Sequence, residues 1–113
     1  MKTNFANFME AERYLRKHLD LPKNVRFKSI WQSYVEPANN KHPPIVALHQ
    51  GYMLEYHGHL TYAGVVPREV PYKQGSQWTM RRQYDQPWIF VDTTNWKEIS
   101  EEEFINRVNK ILE

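Results

Sequence analysis

The sequence predicts an α+β domain, and the order of its patterns supports that fold class. A helical pattern opens the chain, short strand patterns fill its middle, and a capped helical pattern closes it. Helices kept apart from the strands are typical of an antiparallel sheet with helices on one face. A chain of 113 residues has the usual size of one domain. We therefore expect residues 1–113 to form a single domain, with a meander of four to six short strands and both helices packed on one sheet face.

The first helix is predicted over residues 4–20. Apolar side chains recur there at helical spacing and form one stripe, which consists of Phe8, Ala11, Leu15 and Leu19. Thr3 or Asn4 is expected to cap its start, because a short polar side chain can accept a hydrogen bond from a free backbone N–H. Pro22 is expected to stop it.

Strand patterns follow the first helix. Residues 25–35 alternate between two sets of side chains with the period of a strand, and residues 36–44, rich in Pro and Asn, predict a loop in which His42 is solvated. Residues 45–66 predict three short strands joined by tight turns at Gln50-Gly51 and His57-Gly58. The alternative is one long strand that continues through a bulge at Gly51.

The second half of the chain predicts a loop, two strands and a helix. Residues 67–76 are expected to form the loop, and residues 77–82 and 88–92 the strands. Ser100 and Glu103 have the spacing of a capping box, in which each side chain bonds the other residue's backbone N–H. The apolar stripe of the final helix is Phe104, Val108, Ile111 and Leu112.

Several function classes lack their sequence signals. The chain has no Cys, so disulfides, thiolate metal sites and cysteine nucleophiles are excluded. There is no apolar leader and no run of about 18 apolar residues, so we expect a cytoplasmic protein without a membrane partner. The net charge of +2 is too small to indicate a nucleic-acid partner by itself.

Residues 67–88 combine aromatic and cationic side chains in a segment that is rich in Pro. Trp, Tyr and Arg dominate protein contact surfaces, so this segment predicts a surface for a protein partner. Within it we expect Trp88 to be buried and Tyr72 exposed. An unpaired edge strand could in addition support a homodimer. The candidate partner-binding residues are Arg68, Tyr72, Lys73, Trp78, Arg81, Arg82 and Tyr84.

Single-stranded nucleic acid is the alternative partner. Arg26 and Lys28 project from one face of the first strand pattern, and a basic surface edged by aromatic rings would form if Arg81 and Arg82 lay nearby. Such surfaces bind single strands because cations follow the phosphates and aromatic rings stack on bases.

A metal-dependent enzyme is the least favoured alternative. Glu55, His57 and His59 alternate, so on a continuous strand they would share a face and offer ligands for a divalent metal. The turn predicted at His57-Gly58 would break that common face. The sequence contains no nucleophile elbow, phosphate-binding loop or dinucleotide fingerprint. We therefore expect a non-catalytic protein with no cofactor or metal.

The segment from Asp92 to Trp96, followed by a capped helix rich in Glu, resembles short accessory proteins of phages and mobile elements. The resemblance covers about twenty residues. It implies that the partner is a host or phage protein and that the chain could act as an inhibitor. It implies no site and no activity.

Overall fold

The computed structural model describes residues 1–82 and 87–113, without the side chains of Gln32, Tyr34, residues 47–49 and Arg82. It contains two helices and seven strands in this order: α1 (Phe8–His18), β1 (Arg26–Glu36), β2 (Ile45–Tyr56), β3 (His59–Val66), β4 (Glu69–Gln74), β5 (Gln77–Arg82), β6 (Ile89–Asp92), β7 (Glu98–Ile99) and α2 (Glu101–Leu112). The α+β fold class is confirmed. No helix in the described ranges is long and apolar enough to cross a membrane.

Five strands form one antiparallel sheet in the order β1-β2-β3-β6-β7. β4 and β5 form a separate antiparallel hairpin inserted between β3 and β6. β1 is therefore an edge strand of the five-stranded sheet. The opposite edge is β7, which has only two residues.

Both helices pack on the same face of the sheet, as predicted. Tyr52 and Phe90 lie directly opposite Val65 on its two sides, so all three side chains share one face. Phe8 of α1 contacts Tyr52 with ring centroids 4.9 Å apart, and Phe104 of α2 stacks on Phe90 at 4.4 Å. The main core forms between this face and the two helices.

The first helix begins later than predicted because the residues before it are held by Trp88, which immediately precedes β6. The backbone N–H of Trp88 donates to the Thr3 carbonyl, and its indole N–H donates to the Phe5 carbonyl. Phe5 is thereby buried in extended chain instead of helix. The cap is Asn7, whose side chain accepts from the Glu10 N–H at 2.9 Å, so the prediction of Thr3 or Asn4 was wrong.

The predicted turn at Gln50-Gly51 was wrong, and the long-strand alternative is the one observed. β2 runs without a turn from Ile45 to Tyr56 and pairs along its whole length with β1. A Cβ atom on Gly51 would lie 2.3 Å from the Val66 Cγ1 atom and 2.7 Å from the Val65 carbonyl oxygen. Gly51 therefore permits a close approach of β3. The register shift lies between Met53 and Glu55, beyond Gly51.

The turn at His57-Gly58 is confirmed. Both residues have positive φ, 50° and 79°, and Tyr56 pairs directly with His59 across the turn. Two successive positive φ angles are the requirement of a type I′ hairpin, which suits the twist of the flanking strands.

The loop predicted over residues 67–76 is instead strand β4 and the turn of the β4-β5 hairpin. Pro71 lies within β4 opposite Met80. A two-stranded hairpin tolerates this proline because each strand has a free edge, where an N–H is not required. Gly75, with φ of 64°, occupies the first central position of the two-residue turn.

The C-terminal helix matches its prediction in position and packing, but only half of the capping box forms. The Ser100 hydroxyl accepts from the Glu103 N–H at 3.0 Å. The Glu103 carboxylate instead accepts from the Arg107 side chain at 2.9 Å. Phe104 and Val108 are buried, and Ile111 and Leu112 pack at the edge of the core.

Candidate binding surface

The β4-β5 hairpin presents two chemically different faces. Directly opposite residues share a face, so the pairs Tyr72 with Thr79 and Gln74 with Gln77 lie on the same side as Arg81. All five side chains are exposed. We call this set the outer hairpin face: Tyr72, Gln74, Gln77, Thr79 and Arg81.

The outer hairpin face is organised by one cation–aromatic contact. The guanidinium carbon of Arg81 lies 5.1 Å from the centroid of the Tyr72 ring. An exposed contact of this kind is worth about 0.5–1 kcal/mol, enough to favour one arrangement of two otherwise mobile side chains. The Tyr72 side chain is 41% exposed to solvent, as the sequence predicted. The pair therefore offers a broad aromatic surface beside a fixed positive charge.

The opposite face of the hairpin is held against the loop that precedes β2. Trp78 and Met80 lie on this inner side and are half-buried. The Trp78 ring lies 5.6 Å from the imidazole of His42, which is only 5% exposed. The prediction of a solvated His42 was therefore wrong. The Asn39 side chain holds His42 in place: its Oδ1 accepts from the His42 backbone N–H, and its Nδ2 bonds the His42 ring Nε2.

The remaining predicted site residues surround the hairpin. Lys73 is exposed near the turn, and Arg68 precedes β4, where its guanidinium lies 3.8 Å from the Glu98 carboxylate. Tyr84 and the side chain of Arg82 lie outside the described residues. Trp88 is 2% exposed, so the expectation that it is buried is confirmed.

The basic face of β1 is partly neutralised. Lys28 lies 3.8 Å from the carboxylate of Glu55, and Arg26 lies directly across the sheet from the same residue. The negative charge of Glu55, paired with Lys28, lowers the positive potential that would attract phosphates. This arrangement weakens the support for a nucleic-acid surface on β1.

Glu55, His57 and His59 do not share a strand face, because the chain turns at His57-Gly58. Glu55 is directed to Lys28, and the His57 ring lies 3.4 Å from the Asn24 side-chain amide. Among the side chains that the structure describes, no three from His, Asp or Glu are grouped to hold a metal ion. The non-catalytic assignment itself stays a prediction from the sequence.

A cleft of about 840 Å³ opens between β3 and α2. Arg107 is one of the residues that line the cleft. It donates hydrogen bonds to the Asp92 and Glu103 carboxylates and to the Tyr62 carbonyl. The bonds to Glu103, the larger cause, and to Asp92 raise the pKa of Arg107. Through its Nη1 group this side chain ties α2 to β3 and to the end of β6.

The Asp92 carboxylate, which accepts from Arg107, also accepts two hydrogen bonds from Thr94. The bonds from Thr94 come from its hydroxyl and from its N–H at 2.8 Å, and the bond from Arg107 is 3.0 Å long. These bonds stabilise the charged form, and the Thr94 hydroxyl contributes most to the lowered pKa of Asp92. The site is therefore a structural junction between the end of β6 and α2.

Two features of the hairpin surface escaped the sequence analysis. The first is that Trp78 and Met80 alternate with the exposed residues of β5. The second is that Trp78 packs against His42, which bonds Asn39; both lie more than thirty residues earlier in the chain. The spacing Asn39-x-x-His42 was the available signal, since Asn often bonds the backbone two or three residues later in a turn.

Comparison with protein-family models, with curated proteins and with solved structures found no match for this chain.

Proposed function

We propose that this chain is a small non-catalytic protein-binding module that contacts its partner through the outer hairpin face. The observation that carries the proposal is the exposed Tyr72–Arg81 pair on a hairpin whose inner face is held by Trp78 against His42. Tyr and Arg are enriched among the residues that dominate binding energy at protein interfaces.

Support from the inner face matters for affinity. A two-stranded hairpin alone is marginally stable in water, so an unsupported one would lose conformational entropy on binding. Here Trp78 packs on a buried imidazole, and Pro67 is buried at the start of the hairpin. The outer hairpin face is therefore ordered before the partner arrives. In this proposal Trp78 positions the surface, while Tyr72 and Arg81 make the contacts.

The chemistry of the surface indicates the kind of partner. Arg81 supplies a positive charge, and Gln74, Gln77 and Thr79 supply neutral hydrogen-bonding groups around the Tyr72 ring. A protein surface with a carboxylate beside a shallow apolar depression would complement this set. The sequence resemblance suggests that the partner is a host or phage protein. We include in the proposal that binding inhibits this partner.

Comparative affinity capture tests the proposal in lysate of the cell that makes the protein. Wild type is compared with Tyr72→Ala and Arg81→Ala, and with Tyr62→Ala as the matched control. Tyr62 is 52% exposed on β3, away from the outer hairpin face. A protein retained by wild type and Tyr62→Ala but lost from both hairpin variants supports the proposal. Equal retention by all four would contradict it.

Nucleic acid is tested in parallel with the purified protein. Intrinsic Trp fluorescence is titrated with a single-stranded oligonucleotide at two salt concentrations. Saturable binding that weakens steeply with salt and is lost in Arg81→Ala would make nucleic acid the partner and overturn the protein-binding proposal. A flat titration would remove nucleic acid as the alternative.

A further inference from the structure

β1 carries an exposed apolar row that the fold leaves uncovered. Trp31 is 68% exposed, Val35 is 59% exposed, and Val46, opposite Val35 in β2, is 80% exposed. All three lie on the face that elsewhere holds the helices, in the half of the β1-β2 pair that runs from the middle of β1 to its end at Glu36. Large apolar side chains grouped in this way mark interaction surfaces.

The same strand also has a free hydrogen-bonding edge. Within the described part of the chain, β2 is the only strand paired with β1. Eleven residues from Arg26 to Glu36 therefore present every second N–H and C=O to solvent. A second extended strand could add to this edge.

We propose that β1 pairs antiparallel with β1 of a second copy of this chain, about a two-fold axis at Trp31. Trp31 is the middle residue of β1, so this register pairs the whole strand with itself. A two-fold contact is self-complementary, because each residue then meets a defined residue of the other copy. Neither this surface nor its argument depends on the proposed function of the outer hairpin face.

The charges and sizes of the side chains fit this register. Arg26 falls opposite Glu36 at both ends of the interface, which gives two symmetric ion pairs. Among the residues that the structure describes, neither Arg26 nor Glu36 belongs to an ion pair within the chain. Phe27 falls opposite Val35, which would cover part of the exposed apolar row.

The centre of the register is also self-consistent. The two Trp31 rings meet at the axis, and their neighbours on the same face are Ser29 and Ser33, which fall opposite each other. These small side chains leave room for two indole rings. The resulting sheet would end at the two-residue β7 of each copy, so the assembly closes as a dimer and does not continue as a fibre.

Sedimentation or light scattering over a range of concentrations gives the first test. Wild type is expected to reach twice the 13.7 kDa mass of the chain. Replacing Arg26 by Glu, or Glu36 by Arg, places like charges opposite each other at both ends. Each variant alone should dissociate about tenfold more readily or worse, and an equal mixture of R26E and E36R should recover a heterodimer. A wild type that remains monomeric, or a mixture that fails to recover the dimer, would overturn the proposal.

Disulfide trapping tests the axis independently of stability. The chain has no Cys, so a single introduced thiol has one possible partner, the same position in a second copy. Directly opposite residues of antiparallel strands have Cα atoms about 4.5–5.5 Å apart, a separation that a disulfide can span. Trp31→Cys should form a covalent dimer on oxidation. Val46→Cys, at an even more exposed position on β2 that is far from the axis, is the control and should not. Equal trapping of the two variants would contradict the register.

Discussion

Arg107 of α2 donates a hydrogen bond of 3.0 Å to Asp92 at the end of β6. The two bonds from Thr94, as the larger cause, and this contact with Arg107 hold the pKa of Asp92 below its usual range. A carboxylate whose pKa is lower in the folded than in the unfolded state stabilises the fold above its unfolded pKa of about 3.9. That contribution is lost as the pH falls through the folded pKa.

We expect Asp92→Asn to lower the free energy of unfolding at pH 7 by about 1.5–3 kcal/mol, the range for hydrogen bonds to a charged group. The difference from wild type should shrink as the pH falls below about 4, where the carboxyl group of the unfolded chain binds a proton, until the pH has passed the lower pKa of the folded state. Urea unfolding at several pH values measures both effects. Thr94→Val, which removes the hydroxyl bond and keeps the carboxylate, should reduce the pH dependence. A difference that stays constant down to pH 3 would show that the lowered pKa is wrong.

Phe104 joins the sheet to α2 with no exposed surface. Phe104→Ala should lower the free energy of unfolding by about 3–5 kcal/mol, because it removes a buried ring that stacks on Phe90 and leaves a cavity. Thermal or denaturant unfolding measures the loss. Val46→Ala, at a position 80% exposed, is the control and should change the stability by less than about 0.5 kcal/mol. An unchanged midpoint for Phe104→Ala would contradict the packing of α2.

Gly51 is placed where a side chain cannot fit. The Cβ of Gly51→Ala would lie 2.3 Å from a methyl carbon of Val66 and 2.7 Å from the Val65 carbonyl oxygen, so β3 would have to shift. We expect a loss of about 1–3 kcal/mol in unfolding free energy, measured by denaturant unfolding. If the chain turned at Gln50-Gly51, residue 51 would need a positive φ angle, and Ala would be disfavoured for that reason and not by a clash with β3. A neutral Gly51→Ala would refute the continuous β2.

The cap of α2 can be tested separately. Ser100→Ala removes the oxygen that accepts from the Glu103 N–H and should cost about 1 kcal/mol. Ser76→Ala, in the exposed turn of the β4-β5 hairpin, is the matched control and should be close to neutral. Because the Glu103 carboxylate bonds Arg107 and not the backbone, Glu103→Gln should affect the contact with Arg107 more than the cap. Equal melting temperatures for both serine variants would contradict the assigned cap.

The sequence predicted best those elements whose signals are local. The α2 helix begins at its capping serine, and the His57-Gly58 turn depends on two adjacent residues with positive φ. The α1 helix and the path of β2 were mispredicted because contacts distant in sequence decide them. Trp88 holds the chain before α1 by a backbone hydrogen bond to Thr3. A glycine is needed at position 51 because Val66 of β3 packs against it, and not because the chain turns there.

The candidate surface shows the same division. Tyr72 is exposed and Trp88 is buried, as alternation and composition indicated. The sequence could not show which face of β5 is covered, because Trp78 packs against a buried histidine that lies in a distant loop. The exposure of Trp31 could not be predicted either, since strand order decides that β1 lies at the edge.

The proposed contact between a partner protein and the outer hairpin face can be trapped covalently. The most direct measurement is photo-cross-linking in the producing cell, with a photoreactive residue at Thr79, which lies opposite Tyr72. A second version at Tyr62 serves as the control. We expect a distinct protein adduct from position 79 that is absent from position 62 and lost when Arg81→Ala is added. No protein adduct from position 79, or the same adducts from both positions, would contradict the claim.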